Sequence, residues 1–255
     1  MYDLERLIDY TPKKNSLHGR NILVTGAGDG IGKAAALAYS RHGATVILLG
    51  RSDEKLEATY DAIEAEKGPQ AAITPLDLET ADDASFQQLG EEIHNNIGPL
   101  HGLLHNASIL GTMQPLEQTT TDDWERLQKI NVTSAFAMTK ALLPNLRAAD
   151  TASLVFTSSG VGRKGRAYWG AYATSKFATE GLVQVWADEL ANTTNIRTNS
   201  LNPGATRTAM RQQAYPGENP TSLPAPDTIM GAYLFLMGDD SLSINGQQLD
   251  AQVPR

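Results

Sequence analysis

The chain has 255 residues, 41% of them hydrophobic, which is enough to bury the core of one large domain. Its formal net charge of −8 leaves no broad basic surface, so we expect neither nucleic acid nor an anionic membrane as a partner. The absence of cysteine excludes disulfides and thiolate metal sites, and we predict no metal site.

The first segment of the chain, 1–18, is polar and lacks the apolar core of a signal peptide. No apolar run reaches the roughly 18 residues that a membrane-spanning helix needs. We therefore expect a cytoplasmic protein with a single domain over 1–255, in which 1–18 is an N-terminal extension.

Short apolar runs alternate with longer amphipathic stretches along the chain. The runs predict strands over 21–25, 45–49, 71–76, 100–105, 153–158, 196–201 and 247–250. The stretches predict helices over 31–42, from 52, and over 82–96, 121–149 (bent near Pro144), 172–190 and 227–237. This order is typical of the α/β class, and it predicts a Rossmann-like, doubly wound parallel sheet of about seven strands with helices on both faces.

A glycine-rich turn joins the first predicted strand to the first predicted helix, in the run Thr25-Gly26-Ala27-Gly28-Asp29-Gly30-Ile31-Gly32. Glycines allow the backbone to approach a pyrophosphate closely, and the N–H groups and dipole at the helix start stabilise its charge. Turns are often glycine-rich for other reasons, but the strand-turn-helix context favours a dinucleotide site.

The residues after the second and third predicted strands bear on which dinucleotide binds. Many NAD-binding folds place an acidic residue after the second strand, whereas this chain has Gly50 and Arg51. A guanidinium there suits a 2′-phosphate, which favours NADP, although Arg51 could also simply begin a solvated helix. Asp77 could accept a hydrogen bond from an adenine amino group or cap the following helix.

Tyr172 and Lys176 are four residues apart in a predicted helix, so their side chains lie on the same face. An ammonium beside a phenol favours the phenolate and so helps the tyrosine to exchange a proton. Such a pair is usually a solvated helix face. Ser159, thirteen residues before Tyr172, and the glycine-rich turn together favour a catalytic site instead.

These motifs resemble those of the short-chain dehydrogenase/reductase family, and within it the YciK-like bacterial oxidoreductases, over about 17–250. The matching positions are T-G-x-x-x-G-x-G at 25–32, Asn131 in Lys-Ile-Asn-Val, Ser159, Tyr172-x-x-x-Lys176, and Asn202-Pro203-Gly204 with Thr208.

The resemblance implies hydride transfer between a nicotinamide and a carbonyl or alcohol carbon. It makes Tyr172 the general acid or base, Lys176 the group that lowers the tyrosine pKa and holds the nicotinamide ribose, and Ser159 the donor to the substrate oxygen. Asn131 would hold a water in a proton relay that starts at Lys176. The neighbouring Ser158 is the rival to Ser159, because only one of two adjacent residues at a strand end can face the site.

The cofactor expected is NADP(H), with NAD(H) as the alternative. The residues expected to bind it are Gly26, Gly28, Asp29, Gly30, Ile31, Arg51, Asp77, Leu78, Asn106, Ala107, Tyr172, Lys176, Pro203, Gly204, Thr206 and Thr208.

The chain departs from the family pattern at two places. His105-Asn106-Ala107-Ser108 stands where Asn-Asn-Ala-Gly is usual, so a shifted turn or weaker cofactor binding is expected at Ser108. We interpret His105 as a packing residue. Asp250-Ala251-Gln252 replaces the usual Asp-Gly-Gly.

The substrate expected is a small or medium ketone or aldehyde, or the corresponding alcohol. Tyr168, Trp169 and Met210 are candidates for an apolar wall. Arg163, Lys164 and Arg166 either steer an anionic substrate or form a solvated turn.

A catalytically silent dinucleotide sensor is the alternative function, since fold alone does not fix function. The resemblance also implies a homodimer or homotetramer that pairs the helices over 121–149 and 172–190.

Overall fold

A computed structural model describes residue 7 and residues 9–253. Seven strands form one parallel sheet in the order β3-β2-β1-β4-β5-β6-β7. They are β1 (Asn21–Thr25), β2 (Thr45–Gly50), β3 (Ala72–Pro75), β4 (Gly102–His105), β5 (Ala152–Thr157), β6 (Ile196–Asn202) and β7 (Gln248–Asp250). The predicted doubly wound parallel sheet is confirmed.

Helices connect the strands and cover both faces of the sheet. They are α1 (Gly30–Arg41), α2 (Asp53–Ala65), α3 (Asp83–Asn96), α4 (Thr121–Gln128), α5 (Ser134–Arg147), α6 (Gly170–Ala191), α7 (Ala209–Ala214) and α8 (Met230–Met237). None of the described helices is long and apolar enough to cross a bilayer. The described residues also contain no group of three or more acidic or histidine side chains that could hold a metal ion.

The side chains of each strand alternate between two apolar cores. Ile22 and Val24 of β1 pack on the face covered by α1, α2 and α8, while Leu23 packs on the face covered by α3, α5 and α6. Because both faces are buried, β1, β2, β4 and β5 are nearly continuous apolar runs, which is why the sequence located them well. The strand β6 is buried but largely polar.

The predicted long helix over 121–149 is interrupted, but not at Pro144. A π-helical turn, Lys129–Thr133, separates α4 from α5, and α5 includes Pro144. A π turn widens the helix locally and is frequent at functional sites. Asn131 lies within this turn.

The described part of the N-terminal segment packs against the core. Leu7 and Leu17 are buried, with 2% and 0% of their surface exposed. The Tyr10 ring lies edge-on to Phe235 of α8 at 5.2 Å, and its hydroxyl donates to Asp240 at 2.7 Å. Of the extension expected over 1–18, residues 1–6 and 8 lie outside the described residues.

The direction of winding reverses between β1 and β4. The chain passes from β1 to β2 and β3 on one side, and from β4 to β5, β6 and β7 on the other. The two halves leave a crevice at the carboxyl ends of β1 and β4, which is where ligands bind in open α/β sheets.

Candidate active site

A cavity of about 850 Å³ lies along the carboxyl edge of the sheet. The predicted cofactor residues that line it are Gly26, Gly28, Asp29, Gly30, Ile31, Arg51, Asp77, Leu78, Asn106, Ala107, Tyr172, Lys176, Pro203 and Thr208. The structure therefore brings together residues from six separate segments of the chain.

The glycine turn between β1 and α1 forms the floor of the cavity and tolerates few side chains. Gly26 has φ +69° and Gly30 has φ +51°, a region that favours glycine. A Cβ on Gly32 would lie 2.1 Å from the Gly26 carbonyl oxygen, so α1 starts in close contact with the turn. The turn leaves its backbone open to a ligand, as a pyrophosphate requires.

Thr25, at the end of β1, is a positioning residue that the sequence did not single out. Its hydroxyl accepts hydrogen bonds from the backbone N–H groups of Asn106 and Ala107 at 2.9 and 3.0 Å, and donates to the Leu104 carbonyl at 3.2 Å. Thr25 thereby fixes the segment after β4 beside the glycine turn. Only the strand pairing of β1 with β4 reveals this contact.

Ser108, at the position where a glycine is usual, fits its turn. The non-glycine residues with positive φ in the described chain are Asn15, Lys67 and Tyr168. Ser108 is outside that set, so its backbone adopts a conformation that serine accepts without strain.

Asp29 caps helix α1 and forms an ion pair with Lys55 of α2. Its carboxylate accepts from the Gly30 N–H at 2.7 Å and from the Lys55 ammonium at 2.6 Å. The Lys55 hydrogen bond holds the pKa of Asp29 below its ordinary value. The pair reduces the negative charge that Asp29 would present to a bound phosphate, and the sequence did not predict Lys55.

Arg51 and Asp77 stand at the far end of the cavity, after β2 and β3. Arg51 is exposed and lines the cavity. The Asp77 carboxylate accepts from the backbone N–H of Glu79 at 3.0 Å, while α3 is capped by Asp82. Asp77 therefore stabilises the turn beside the cavity and does not cap α3.

Tyr172 lies in the first turn of α6 and is buried, with 7% of its surface exposed. Burial raises the pKa of Tyr172 to about 12, and a hydrogen bond with the Ser159 side chain opposes that rise. Loss of solvation of the phenolate therefore opposes the lowering expected from Lys176, and that lowering stays a prediction.

The structure distinguishes the two candidate serines. Ser158 is buried, and its hydroxyl donates to the Glu180 carboxylate at 2.5 Å. Ser200 donates to the other oxygen of the same carboxylate at 2.5 Å. Ser158 lines the cavity but its hydroxyl belongs to a buried network between β5, β6 and α6, whereas the Ser159 side chain interacts with Tyr172 and lowers its pKa.

Lys176 is buried one turn further along α6. Its ammonium donates to the Thr157 carbonyl at 2.8 Å and lies 5.5 Å from the centre of the Tyr172 ring. Burial lowers the pKa of Lys176 to about 8, and the Glu180 carboxylate acts in the opposite direction. The amine is thus held at the carboxyl end of β5, under the tyrosine.

Asn131 joins the π turn to two other segments. Its side-chain amide donates to the Ile109 carbonyl at 2.9 Å and to the Ser175 hydroxyl at 3.0 Å, and its oxygen accepts from the Ile109 N–H at 2.9 Å. Both amide hydrogens are used within the protein. Any water held by Asn131 would therefore have to donate to one of its oxygens.

His105 is a neutral packing residue at the end of β4, as interpreted from the sequence. It stacks on Phe156 at 4.7 Å, and its Nε2 lies 2.8 Å from the Thr139 hydroxyl. Thr139 donates its own hydrogen to the Ala135 carbonyl, so the histidine nitrogen must be the donor to Thr139. Burial lowers the pKa of His105 to about 3.

Two groups of expected residues lie elsewhere than predicted. Thr206 does not line the cavity: it is 3% exposed, and its hydroxyl donates to the Pro203 carbonyl at 3.2 Å. Gly204 is exposed beside the cavity with φ +70°. The Arg163 side chain is 26% exposed and its guanidinium binds Asp250 at 2.8 Å, so Arg163 is an ion-pairing residue and not a free cation of a solvated turn.

An apolar cluster surrounds the exposed side of Tyr172. It comprises Leu110, Leu127, Val161, Tyr172 and Ala173, with Ile109, Met113, Trp169, Ala171, Met210 and Ala214 packed against them. The Trp169 ring lies 5.8 Å from Tyr172 and 5.9 Å from Tyr215. The expected wall is present at Trp169 and Met210, while Tyr168 lines the cavity with 59% of its surface exposed.

A model of the short chain dehydrogenase family matches residues 20–219. The chain belongs to the short-chain dehydrogenase/reductase family. Its similarity to the uncharacterized oxidoreductase YciK of Escherichia coli K12 is 51% identity over 246 residues, covering 96% of this chain and 97% of that one. The 3-oxoacyl-[acyl-carrier-protein] reductase FabG of Thermotoga maritima is 30% identical over 239 residues, covering 91% of this chain and 95% of FabG.

A solved structure of a short chain dehydrogenase from Shigella flexneri 2a strain 301, complexed with NADP, superposes with a TM-score of 0.91. It is 52% identical, and the match covers 94% of this chain and 100% of that one. Short-chain dehydrogenases of this kind are oxidoreductases, and the predicted family is confirmed.

Proposed function

We propose that the protein is an NADP(H)-dependent oxidoreductase that interconverts a small or medium carbonyl compound and its alcohol. The observation that carries this proposal is that Tyr172 and Lys176 line the same cavity as the glycine turn, with the Ser159 side chain interacting with Tyr172. When bound, the nicotinamide donates or accepts the hydride, so the protein has to supply geometry and a proton.

The residues present fit a dinucleotide. The turn at Gly26, Gly28 and Gly30 keeps the backbone at the start of α1 open, and the N–H groups there suit a pyrophosphate. Pro203 and Thr208 also line the cavity, where they would contact the nicotinamide. The complex of the Shigella flexneri relative with NADP supports the same cofactor for this chain.

Arg51 supports the phosphorylated form of the cofactor. It is exposed at the end of β2, where the 2′ position of the adenosine ribose would lie, and a guanidinium there suits a phosphate. Lys55 faces the same cavity, although its ammonium is already paired with Asp29. NAD(H) is the weaker alternative because Gly50 and Arg51, and not an acidic residue, stand at the end of β2.

Tyr172 is the proton donor in the reducing direction. With a pKa of about 12 it is protonated near neutral pH and can donate to a carbonyl oxygen that gains negative charge. Ser159 donates a second hydrogen bond to that oxygen. The positive charge of Lys176 beneath the ring stabilises the phenolate that proton donation leaves, and Asn131 positions a water that returns a proton.

The substrate end of the cavity supports a largely apolar ketone or aldehyde. Trp169, Met210 and Leu110 provide an apolar surface next to Tyr172, and pockets of this kind bind through apolar contact with few polar anchors. FabG of Thermotoga maritima, by its name, reduces a 3-oxoacyl carbonyl, which supports reduction of a carbonyl group.

We also propose a homo-oligomer in the cytoplasm. Phe136 of α5 and Phe177 and Val185 of α6 are 41%, 46% and 53% exposed, so α5 and α6 share an apolar outer face. The rings of Phe136 and Trp186 stack at 6.3 Å and make this face continuous. A second copy of the chain would cover it.

The catalytic assignment is tested with Tyr172→Phe in an NADPH-oxidation screen over a library of ketones and aldehydes. We expect loss of turnover by at least about a hundredfold, the range for removing a general acid, with NADPH binding retained. Tyr60→Phe, in α2, is the control and should keep full activity. Unchanged turnover of Tyr172→Phe on a genuine substrate would contradict the mechanism, and tight NADPH binding without turnover of any carbonyl would favour the sensor alternative.

The cofactor preference is tested with Arg51→Ala. We expect the ratio of NADH to NADPH dissociation constants to fall by about tenfold or more, since a charge-assisted bond contributes roughly 1.5–3 kcal/mol. The exposed Arg147, at the end of α5, provides the control variant Arg147→Ala. If the ratio does not change, Arg51 does not select the 2′-phosphate.

A further inference from the structure

The loop after β6, 203–206, is held by hydrogen bonds from the side chain of Gln252, near the end of the described chain. The Gln252 amide nitrogen lies 2.6 Å from the Pro203 carbonyl, 3.3 Å from the Ala205 carbonyl and 3.1 Å from the Thr206 hydroxyl. A side-chain amide has two hydrogens, so they are shared among three acceptors of one short loop. Gln252 is therefore committed to this loop.

Apart from Gln252, the loop is held by weak local bonds, in which the Thr206 hydroxyl lies 3.2 Å from the Pro203 carbonyl and 3.4 Å from the Gly204 carbonyl. Pro203 has no N–H, and Gly204, at φ +70°, has no side chain. The Gly204 N–H is bound to the Asn202 side chain at 3.1 Å, and not to a strand or helix. A Cβ on Gly204 would lie 3.0 Å from the Gln252 amide nitrogen, so the glutamine packs directly on the loop.

Asp250, the last residue of β7 and two residues before Gln252, connects this part of the chain to the segment after Ser159. One oxygen of Asp250 accepts from the Asn202 amide at 2.7 Å, and the other accepts from the Arg163 guanidinium at 2.8 Å. Arg163 also donates to the Leu249 carbonyl at 2.8 Å. The end of β7 therefore connects the segment that carries Ser159 with the loop that faces the cavity through Pro203.

We propose that Gln252 is a positioning residue that holds the 203–206 loop in the conformation that receives the nicotinamide. The proposal rests on the proposed function, because it takes the Pro203 end of the cavity as the nicotinamide site. A glycine, as in the Asp-Gly-Gly pattern, could make none of these bonds. In this chain the Gln252 side chain therefore orders the loop before the cofactor binds. Without it, the loop would have to become ordered on binding, and that cost would weaken the affinity.

Two substitutions separate hydrogen bonding from packing. Gln252→Ala removes the amide. Gln252→Glu keeps the shape, but a carboxylate only accepts hydrogen bonds and would face the carbonyl oxygens of Pro203 and Ala205. We expect the dissociation constant of NADPH to rise about fivefold in Gln252→Ala, the equivalent of about one net hydrogen bond, and further in Gln252→Glu.

The measurements are NADPH fluorescence titration and hydrogen exchange of the 203–206 segment followed by mass spectrometry. Exchange should be faster in both variants than in the wild type, with or without NADPH. Gln247→Ala is the matched control, because Gln247 is exposed on the same segment and its amide donates to Asn245. It should leave binding and exchange unchanged.

The outcomes separate this proposal from the proposed function. If wild type fails to bind NADPH, the proposed function is wrong. Faster hydrogen exchange of the 203–206 segment in the Gln252 variants would in that case still support the role of Gln252 in holding the loop. If wild type binds NADPH and both Gln252 variants match it in binding and in exchange, Gln252 does not position the loop. Equal binding by Gln252→Glu and wild type would show that shape alone is sufficient and would overturn the hydrogen-bonding role.

Discussion

Tyr172 and Lys176 share one buried environment, and burial moves their pKa values in opposite directions. The neutral phenol is favoured, so the pKa of Tyr172 rises, and the neutral amine is favoured, so the pKa of Lys176 falls. Their spacing predicted that they share a helix face. The size of the burial effect depends on β5 and the apolar cluster around them, which spacing does not reveal.

The buried lysine predicts a pH-dependent stability. Between a folded pKa of about 8 and an ordinary value of 10.5, the folded protein binds fewer protons than the unfolded chain, so stability rises with pH across that window. The rise amounts to about 3 kcal/mol. Lys176→Met has no amine at this position and should not show this rise. We therefore expect the free energy of unfolding of wild type, relative to that of the variant, to increase by about 3 kcal/mol between about pH 7.5 and about pH 10.5.

Urea unfolding of wild type and Lys176→Met across that pH range measures the difference between their free energies of unfolding. The titration of the other groups is common to both proteins and largely cancels in this difference. Lys164→Met, at an exposed position, is the control and should show no such trend relative to wild type. A constant difference between wild type and Lys176→Met would contradict the loss of charge from a buried amine.

At the scale of the elements, the connection from β1 to α1 is the most constrained part of the site. The sequence predicted this turn because its glycines follow a buried strand. It did not predict Thr25 or Lys55 as supporting residues, because their partners are 26 to 82 residues away in the chain. The π turn was missed as well, because the pattern of apolar residues runs on from α4 into α5.

Gly32→Ala tests how tightly that connection is packed. The added Cβ would lie 2.1 Å from the Gly26 carbonyl oxygen and 2.6 Å from the Asn106 amide, so the start of α1 would have to move. We expect the free energy of unfolding to fall by about 1–3 kcal/mol, with weaker NADPH binding. Chemical unfolding and fluorescence titration measure the two effects.

Gly217→Ala is the control. Gly217 is exposed, and a Cβ there would meet nothing within 4 Å. We expect a gain of up to about 1 kcal/mol in stability, because alanine lowers the entropy of the unfolded chain, and no change in cofactor binding. If Gly32→Ala behaved like Gly217→Ala, the turn would be looser than its contacts indicate.

For the molecule as a whole, the apolar face of α5 and α6 predicts association. Val185→Arg places a charge on this face, and we expect it to shift the protein from an oligomer towards the monomer, because an unpaired charge is costly to bury. Sedimentation velocity gives the mass. Ala58→Arg, at an exposed position of α2, is the control and should leave the mass unchanged.

Wild type that sediments as a monomer at micromolar concentration would contradict association through this face. An oligomer that is unaffected by Val185→Arg would place the interface elsewhere. From the sequence, the helices that form this face were predicted only by resemblance to the family. The exposure of Phe136, Phe177 and Val185 depends on how the helices pack, which the sequence does not show.

The packing of Tyr10 on α8 decides where the chain can be shortened. A shortened version that begins at residue 20, just before β1, would lose Leu7 and Leu17 from the core and uncover the edge of Phe235. Gly231 would lose the Tyr10 backbone that now covers it, since a Cβ there would lie 2.6 Å from the Tyr10 carbonyl. A minimal catalytic unit cut to the sheet and its helices would therefore expose apolar surface on α8 and tend to aggregate, although every residue of the cavity would still be present.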